Sequence, residues 1–220
     1  MSENNTNKYT TAYYCKEAMK DMINGKPVFI FAFLVPLVIM VAIYALRGIY
    51  PFGEECYLRS DMYHQYCPFF AELWDKIREG GSLEYTWDIG LGSNFIAIYG
   101  YYLSSPINWL IALFPQDSMI ELMNIIILLK TAFASLTCTY YLCAHSKKIN
   151  LIAAGFGILY SLSGYLAAYS WNIMWLDCII LLPLVVLGLE KLVHEGKGLL
   201  YVIALGFTIL SNYYIAIMVC

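Results

Sequence analysis

Charged residues are scarce in this sequence. Only 13% of the 220 residues are charged and 60% are apolar, whereas a soluble domain carries about 25% charged and about 45–50% apolar residues. The composition therefore predicts a membrane protein. The net charge of −3 is too small to suggest nucleic acid or another strongly charged partner.

The usual motifs of metal and catalytic sites are also missing. No CxxC or CxxH pair occurs among the seven cysteines, so a zinc or redox site has no support. Cys56 and Cys67 lie in one predicted loop and could pair. No Ser-His-Asp set, HExxH or Walker motif is present. The GLGSN stretch at 90–94 lacks the strand and helix of a nucleotide loop, so we expect it to shape a turn between external helices.

Long apolar runs define the predicted membrane spans, each of which needs roughly 20 residues. Five runs qualify, at about 28–47, 122–144, 149–169, 173–192 and 199–220. No small-residue cleavage site follows the first run, which favours an uncleaved span over a signal peptide. The last run is still apolar at Cys220. We therefore interpret residues 28–220 as the N-terminal part of a larger multispanning membrane domain.

Lysines predict the orientation of these spans. If residues 49–118 stay on one side, all eight lysines that flank the spans fall on the other, cytoplasmic side. The N-terminal segment 1–27, with a predicted interfacial helix, would then be cytoplasmic. The 49–118 loop would be extracytoplasmic.

Residues 95–114 offer an alternative, because these 20 residues carry no charge and could form a sixth span. Such a span would invert the orientation of all the spans that follow it. However, Tyr99, Tyr101 and Pro106 are interfacial or helix-breaking types, which favours helices along the outer surface. The predicted fold class is therefore all-α: a polytopic transmembrane helix bundle with a large helical extracytoplasmic loop after the first span.

Asp61 is the first candidate catalytic acid. Ser60 or Asp61 would cap a helix from about Met62 to Glu79, which Gly80 ends, and capping alone would explain the acid. Asp61 also lies just outside a span and one turn from His64. There it could act as a base on a hydroxyl or bind a divalent cation such as Mg or Mn.

Two further ionisable residues lie inside predicted spans. Asp177, at the outer mouth of the fourth span, should face a cavity or a partner, although a snorkelling interfacial acid is the structural alternative. Lys130, midway along the second span, needs a carboxylate, carbonyl or phosphate partner, for example an acid from a span beyond this sequence. Asn172 and Trp175 could present amide and aromatic contacts to a sugar. Asn212 could line the same cavity or act as an interhelical polar contact.

Three ordered stretches carry a resemblance to a known family. The first, "SDMYHQYCPFFAELWDKIREGGSLEYTWDIGLGSNFIAIYGYYLSSPINWLIALFP", resembles the signature region of the YfhO family of bacterial membrane proteins, and "NIMWLDCIILLPLVVLGLEKL" and "NYYIA" fit it as well. That family is similar to the GT-C class of membrane glycosyltransferases, which use polyprenyl-phosphate-linked sugars as donors. It is associated with glycosylation of lipoteichoic acid or related cell-wall polymers. The resemblance implies a multi-pass protein of the bacterial cell membrane with an extracytoplasmic active site.

The resemblance also implies residue roles. Asp61 matches the essential acid after the first span, and would act as the base on an acceptor hydroxyl while polyprenyl phosphate leaves with inversion. Asp177 matches a second acidic motif, here a lone Asp, and would position the acceptor or bind a metal. The candidate substrate-binding residues are Arg59, for the leaving phosphate, and His64, Gln65, Tyr101, Tyr102, Asn172, Trp175 and Asn212.

The implied partners are a lipid-linked sugar donor, a cell-wall polymer or glycolipid acceptor, and the bilayer. Two other functions compete with this interpretation. A lipid or polymer transporter (flippase) would use Asp177 and Lys130 to line a pathway. A non-catalytic scaffold of an envelope assembly is the third possibility.

Overall fold

Residues 25–220 are described by a computed structural model. The predicted interfacial helix before the first span lies outside these described residues. Within these described residues, four segments are long and apolar enough to cross a membrane: Lys26–Leu46, Gln116–Ser146, Leu151–Tyr169 and Ile173–Glu195. The described chain is therefore a multi-pass helical bundle, as its apolar runs predict.

The α-helices, in chain order, are α1 Lys26–Leu46, α2 Cys67–Glu79, α3 Phe95–Ile98, α4 Met119–Ser146, α5 Leu151–Ser161, α6 Gly164–Tyr169, α7 Leu176–Glu195, α8 Leu199–Ser211 and α9 Tyr213–Val219. Two π-helical turns cover Met62–Tyr66 and Tyr99–Leu103. Three 3-10 helices cover Pro106–Leu113, Gln116–Ser118 and Ile173–Trp175. Strands β1 Tyr85–Thr86 and β2 Ser93–Asn94 pair antiparallel.

Helix α4 is the centre of the bundle. In its most apolar stretch 61% of the residues are buried, against 17% for α1. Helix α4 packs against α1, α5 and α7, and α7 packs against α8. Helix α1 is apolar around its whole circumference, as expected for a helix that touches the bundle on one side and lipid on the others.

Because the long helices alternate in direction, the connections between them fall at two ends. The long loop (residues 49–118), the 162–175 segment and Asn212 share one end, called the loop end. The connections at 147–150 and 196–198 lie at the opposite end and carry Lys147, Lys148 and Lys197. This arrangement is compatible with the orientation predicted from the lysines, which stays a prediction.

Asn212 interrupts the predicted fifth span, which is therefore not one continuous helix over 199–220. Its backbone is extended (φ −163°, ψ 105°), and its side-chain oxygen accepts a hydrogen bond from the Ile215 N–H at the start of α9. Its amide nitrogen donates to the Tyr101 carbonyl at 2.9 Å. These bonds satisfy the backbone and side-chain groups that a break in a membrane helix would otherwise leave unpaired.

The long loop folds onto the loop end of the bundle. Met62, Phe70, Leu73 and Phe95 are buried there against residues of α4. Residues 95–114 form helical pieces of four, five and eight residues, all too short to span a bilayer. The glycine-rich turn lies between β1 and β2 rather than between helices, because two-residue strands leave no periodic pattern in the sequence.

We predict that Gly157 is required for the packing of α4 against α5. A Cβ atom at this position would lie 2.6 Å from the Ser135 carbonyl oxygen and 2.1 Å from Thr139 Oγ1. Gly157→Ala should therefore lower the melting temperature, by overpacking that costs about 1–3 kcal/mol.

Gly155 supplies the matched control, because it lies in the same helix and a Cβ there would meet nothing within 4 Å. Gly155→Ala should leave the melting temperature unchanged or raise it, since alanine favours helix by about 1 kcal/mol over glycine. Thermal unfolding of both variants in one detergent makes the comparison. Equal melting temperatures for the two variants would contradict the close helix contact.

Candidate functional site

Two π-helical turns meet at the loop end. Gln65, in the Met62–Tyr66 turn, donates from Nε2 to the Tyr102 hydroxyl in the Tyr99–Leu103 turn at 3.0 Å. The rings of Tyr66 and Tyr102 lie 5.6 Å apart. Single π-helical turns are rare and occur frequently at functional sites, so the contact between two of them indicates a candidate functional site.

Aromatic rings from four segments surround this contact, and we call them the aromatic cluster. Neighbouring ring centroids are 4.5–6.5 Å apart, within the range of favourable aromatic pairs. The cluster thus joins the long loop to the turn before α7 and to the break between α8 and α9. Its members are Tyr66, Phe69, Tyr101, Tyr102, Trp171, Trp175, Tyr213 and Tyr214.

Two buried nitrogen donors beside these rings have no hydrogen-bond partner within residues 25–220. The Tyr66 hydroxyl donates to Asn172 Oδ1 at 2.9 Å, which leaves Asn172 Nδ2 without an acceptor. The indole Nε1 of Trp175 is likewise buried and unpaired. A buried donor without an acceptor is costly and uncommon in folded proteins. Both atoms would be satisfied by acceptor oxygens of a ligand.

Burial keeps the tyrosines of this site protonated. It raises the pKa of Tyr66, and the negative charge of Asp61 and the neighbouring hydroxyls of Tyr102 and Tyr101 raise it further. Burial also raises the pKa of Tyr102, whereas the hydrogen bond from Gln65 acts in the opposite direction. Tyr66 therefore remains a donor to Asn172 at physiological pH.

Asp61 lies at the start of the first π-helical turn, but its side chain does not cap that helix. The prediction of a capping hydrogen bond from Asp61 is therefore wrong. The predicted bounds are confirmed, because the helical segment runs from Met62 to Glu79 and ends at a left-handed Gly80. Ser60, directly before it, has φ +48°, an uncommon conformation for a residue other than glycine. This backbone leaves the Asp61 carboxylate exposed and without an ion pair in the described chain.

Asp177 and Lys130 form a buried ion pair. Lys130 Nζ is 2.5 Å from Asp177 Oδ2, and the two residues are 0% and 5% exposed. Lys130 also donates to the Ile173 carbonyl at 3.0 Å, and Ser105 Oγ donates to Asp177 Oδ1 at 2.6 Å. The partner of Lys130 is thus an acid of the described chain, not one from a span beyond it, because α4 and α7 pack side by side.

This ion pair is connected to two of the segments that carry the aromatic cluster. The Ile173–Trp175 turn carries Trp175 and follows Asn172, and Lys130 holds that turn through the Ile173 carbonyl. Ser105 connects the same pair to the end of the Tyr99–Leu103 turn. Asp177 therefore has both carboxylate oxygens engaged within the protein.

Most of the predicted substrate-binding residues come together in this region. Gln65, Tyr101, Tyr102, Asn172, Trp175 and Asn212 are connected by the hydrogen bonds and ring contacts given above. His64 lies outside the connected group and packs against Tyr63. The Arg59 guanidinium instead lies over the Tyr57 ring, 5.8 Å from its centroid.

Sequence reasoning missed Tyr66 and Ser105. Tyr66 could have been found by its position five residues beyond the first candidate acid, on the same helical segment. Ser105 gives no such signal, because its contact with Asp177 joins residues 72 positions apart. The possible Cys56–Cys67 pair is not formed, since both cysteines have free thiols.

The two candidate acids do not form a metal site together with other side chains of the described residues. Residues 25–220 contain no group of three His, Cys, Asp or Glu side chains that could hold a metal. Asp177 is occupied by Lys130 and Ser105. We therefore assign no step of the chemistry to a metal bound by these two acids.

We predict that the two members of the ion pair depend on each other. Lys130→Met would leave the Asp177 carboxylate buried without a counter-charge, at a cost of about 3–5 kcal/mol. Adding Asp177→Asn removes that charge and keeps an acceptor for Ser105, so the double variant should melt at a higher temperature than Lys130→Met alone. If the second substitution instead lowers the melting temperature further, the pair is not coupled as described.

Comparison with known proteins places the chain. The family described as "Bacterial membrane protein YfhO" matches residues 32–220. A curated relative, "Uncharacterized protein YfhO" of Bacillus subtilis (strain 168), is 28% identical over an alignment that covers 62% of this chain and 17% of the relative. The chain thus matches only a small part of that relative's length, and no solved structure matches it. On the extent of the family match, the chain belongs to the YfhO family of bacterial membrane proteins.

Proposed function

We propose that this chain forms part of a GT-C-like membrane glycosyltransferase. It moves a sugar from a polyprenyl-phosphate donor to a cell-envelope acceptor such as (lipo)teichoic acid, on the extracytoplasmic side of the membrane. The transfer inverts the anomeric carbon, with Asp61 as the base.

The observation that carries this proposal is the pair of unpartnered donors beside the aromatic cluster. Asn172 Nδ2 and Trp175 Nε1 are buried without acceptors. Ligand sites are typically lined by aromatic side chains with a few placed polar groups. A sugar fits both features, because its hydroxyl oxygens accept hydrogen bonds and its C–H faces pack on aromatic rings.

Asp61 supplies the proposed base. A general base must reach the proton that it removes, and an exposed carboxylate without a competing ion pair is available for this. Its helix also carries Gln65 and Tyr66, which belong to the sugar site in this proposal. Asp61 takes the proton of the acceptor hydroxyl as that oxygen attacks the anomeric carbon and the lipid phosphate leaves with the bonding electrons.

Asp177 acts in this proposal as a positioning residue rather than as a second catalytic acid. Its two oxygens bind Lys130 and Ser105, and Lys130 holds the Ile173 carbonyl. This arrangement fixes the turn that presents Asn172 and Trp175. The transporter alternative needs Asp177 and Lys130 to line an open pathway, and the buried pair does not favour it.

Replacement of the base tests the reaction. In membranes that contain the intact protein, Asp61→Asn should reduce sugar transfer from polyprenyl-phosphate donors by about 100- to 10,000-fold, the usual contribution of a general base. The measurement is labelled-sugar incorporation into (lipo)teichoic acid, with a panel of donor-linked hexoses and N-acetylhexosamines.

Asp88→Asn is the matched control, because Asp88 is an exposed acid of the same loop and should retain full transfer. Asp177→Asn should also lower transfer, together with the melting temperature. Full transfer by correctly folded Asp61→Asn and Asp177→Asn proteins would show that these roles are wrong.

A further inference from the structure

A cavity of about 340 Å³ lies at the loop end, between the last turns of α1, the first residues of the long loop and the α5–α6 segment. The Tyr57 hydroxyl is hydrogen-bonded to Ser170 Oγ at 2.6 Å, and both residues line the cavity. Ser170 directly precedes Trp171 of the aromatic cluster. The cavity is therefore a neighbour of the aromatic cluster with its own set of lining residues.

The cavity has an apolar wall and a basic rim. Ile39, Met40 and Ile43 of α1 form part of the wall. Ile39 and Ile43 are 36% and 42% exposed and belong to a predicted membrane span, so an apolar lipid chain is a suitable neighbour for them. Two basic residues also line the cavity: Arg47, which directly follows α1, and Arg59, which comes from the long loop. Such a lining suits an amphiphile with an anionic head.

The two arginines have no counter-charge. Neither of them belongs to an ion pair within residues 25–220. Arg47 lies at a helix C-terminus, where a cation is favourable, and the Arg59 guanidinium lies over the Tyr57 ring; neither contact neutralises the positive charge. Guanidinium groups bind phosphate through two parallel hydrogen bonds, so two of them at one rim favour a phosphate group.

Tyr44 provides an independent indication of a ligand. Its side chain lines the cavity and is 2% exposed, and its hydroxyl has no hydrogen-bond partner in the part of the chain that the structure describes. Its ring packs on Tyr57 at 5.2 Å, which fixes the position of the unpaired hydroxyl. A buried hydroxyl without a partner is costly, and an ester or phosphate oxygen in the cavity would accept a hydrogen bond from it.

We propose that this cavity binds the phosphate head of an anionic membrane lipid. The phosphate lies between Arg47 and Arg59, the Tyr44 hydroxyl donates to it, and the first part of the lipid chain lies along Ile39 and Ile43. The chemistry is shared by a phospholipid and a polyprenyl phosphate. The proposal therefore does not depend on the transferase assignment. If the ligand is the polyprenyl phosphate, Arg59 contacts the leaving group in this proposal, which is the role that the family resemblance implies for it.

The test is lipid binding by the intact protein in nanodiscs of phosphatidylcholine. Phosphatidylglycerol, farnesyl phosphate and inorganic phosphate are added separately, and bound lipid is measured by native mass spectrometry. Arg47→Gln with Arg59→Gln should weaken binding of the phosphate lipids by roughly tenfold or more for each arginine removed. Arg78→Gln is the matched control, because Arg78 contacts Trp74 and the Ala112 carbonyl away from the cavity, and it should bind normally.

Tyr44→Phe separates a ligand role from a structural one. It should weaken lipid binding by about two- to tenfold without lowering the melting temperature, since the hydroxyl has no partner among residues 25–220 to lose. Binding of one phosphate lipid over the other identifies the source of the ligand. Unchanged binding in the double arginine variant overturns the proposal, and so does inorganic phosphate binding as tightly as the lipids.

Discussion

The buried pair of Lys130 and Asp177 is the interaction on which the rest of this structure depends. A charge inside a membrane span is tolerated only with a partner, and each of these residues supplies it for the other at 2.5 Å. Because Lys130 belongs to α4 and Asp177 to α7, the pair also fixes how the central helix sits against its neighbour. Removal of either charge would leave the other stranded in an apolar interior.

The same pair organises the loop end. Its two extra hydrogen bonds reach the Ile173 carbonyl and Ser105, so one buried contact holds both the turn before α7 and the end of the second π-helical turn. The aromatic cluster and the unpaired donors of Asn172 and Trp175 lie on this support. A site that must keep two unsatisfied donors in place needs such a rigid base, because an unsupported loop would turn them toward water.

Membrane spans and helix ends that depend on local composition are predicted well from the sequence. Of the five predicted spans, four correspond to segments of residues 25–220 that are long and apolar enough to cross a membrane, and Gly80 marks the end of the helical segment that begins at Met62. The extended backbone at Asn212 and the two π-helical turns were not predicted, since each is set by contacts with distant residues. Lys130 and Asp177 were singled out as anomalies. Their pairing across 47 positions could not be read from either local pattern.

Hydrogen exchange of the backbone amides in the intact, detergent-solubilised protein tests the central claim most directly. The account predicts that Lys130→Met speeds exchange in the 172–177 segment and around Ser105, while the opposite end of α4 near His145 keeps its wild-type protection. Unchanged protection of 172–177 in that variant would contradict the claim that the buried pair supports the site.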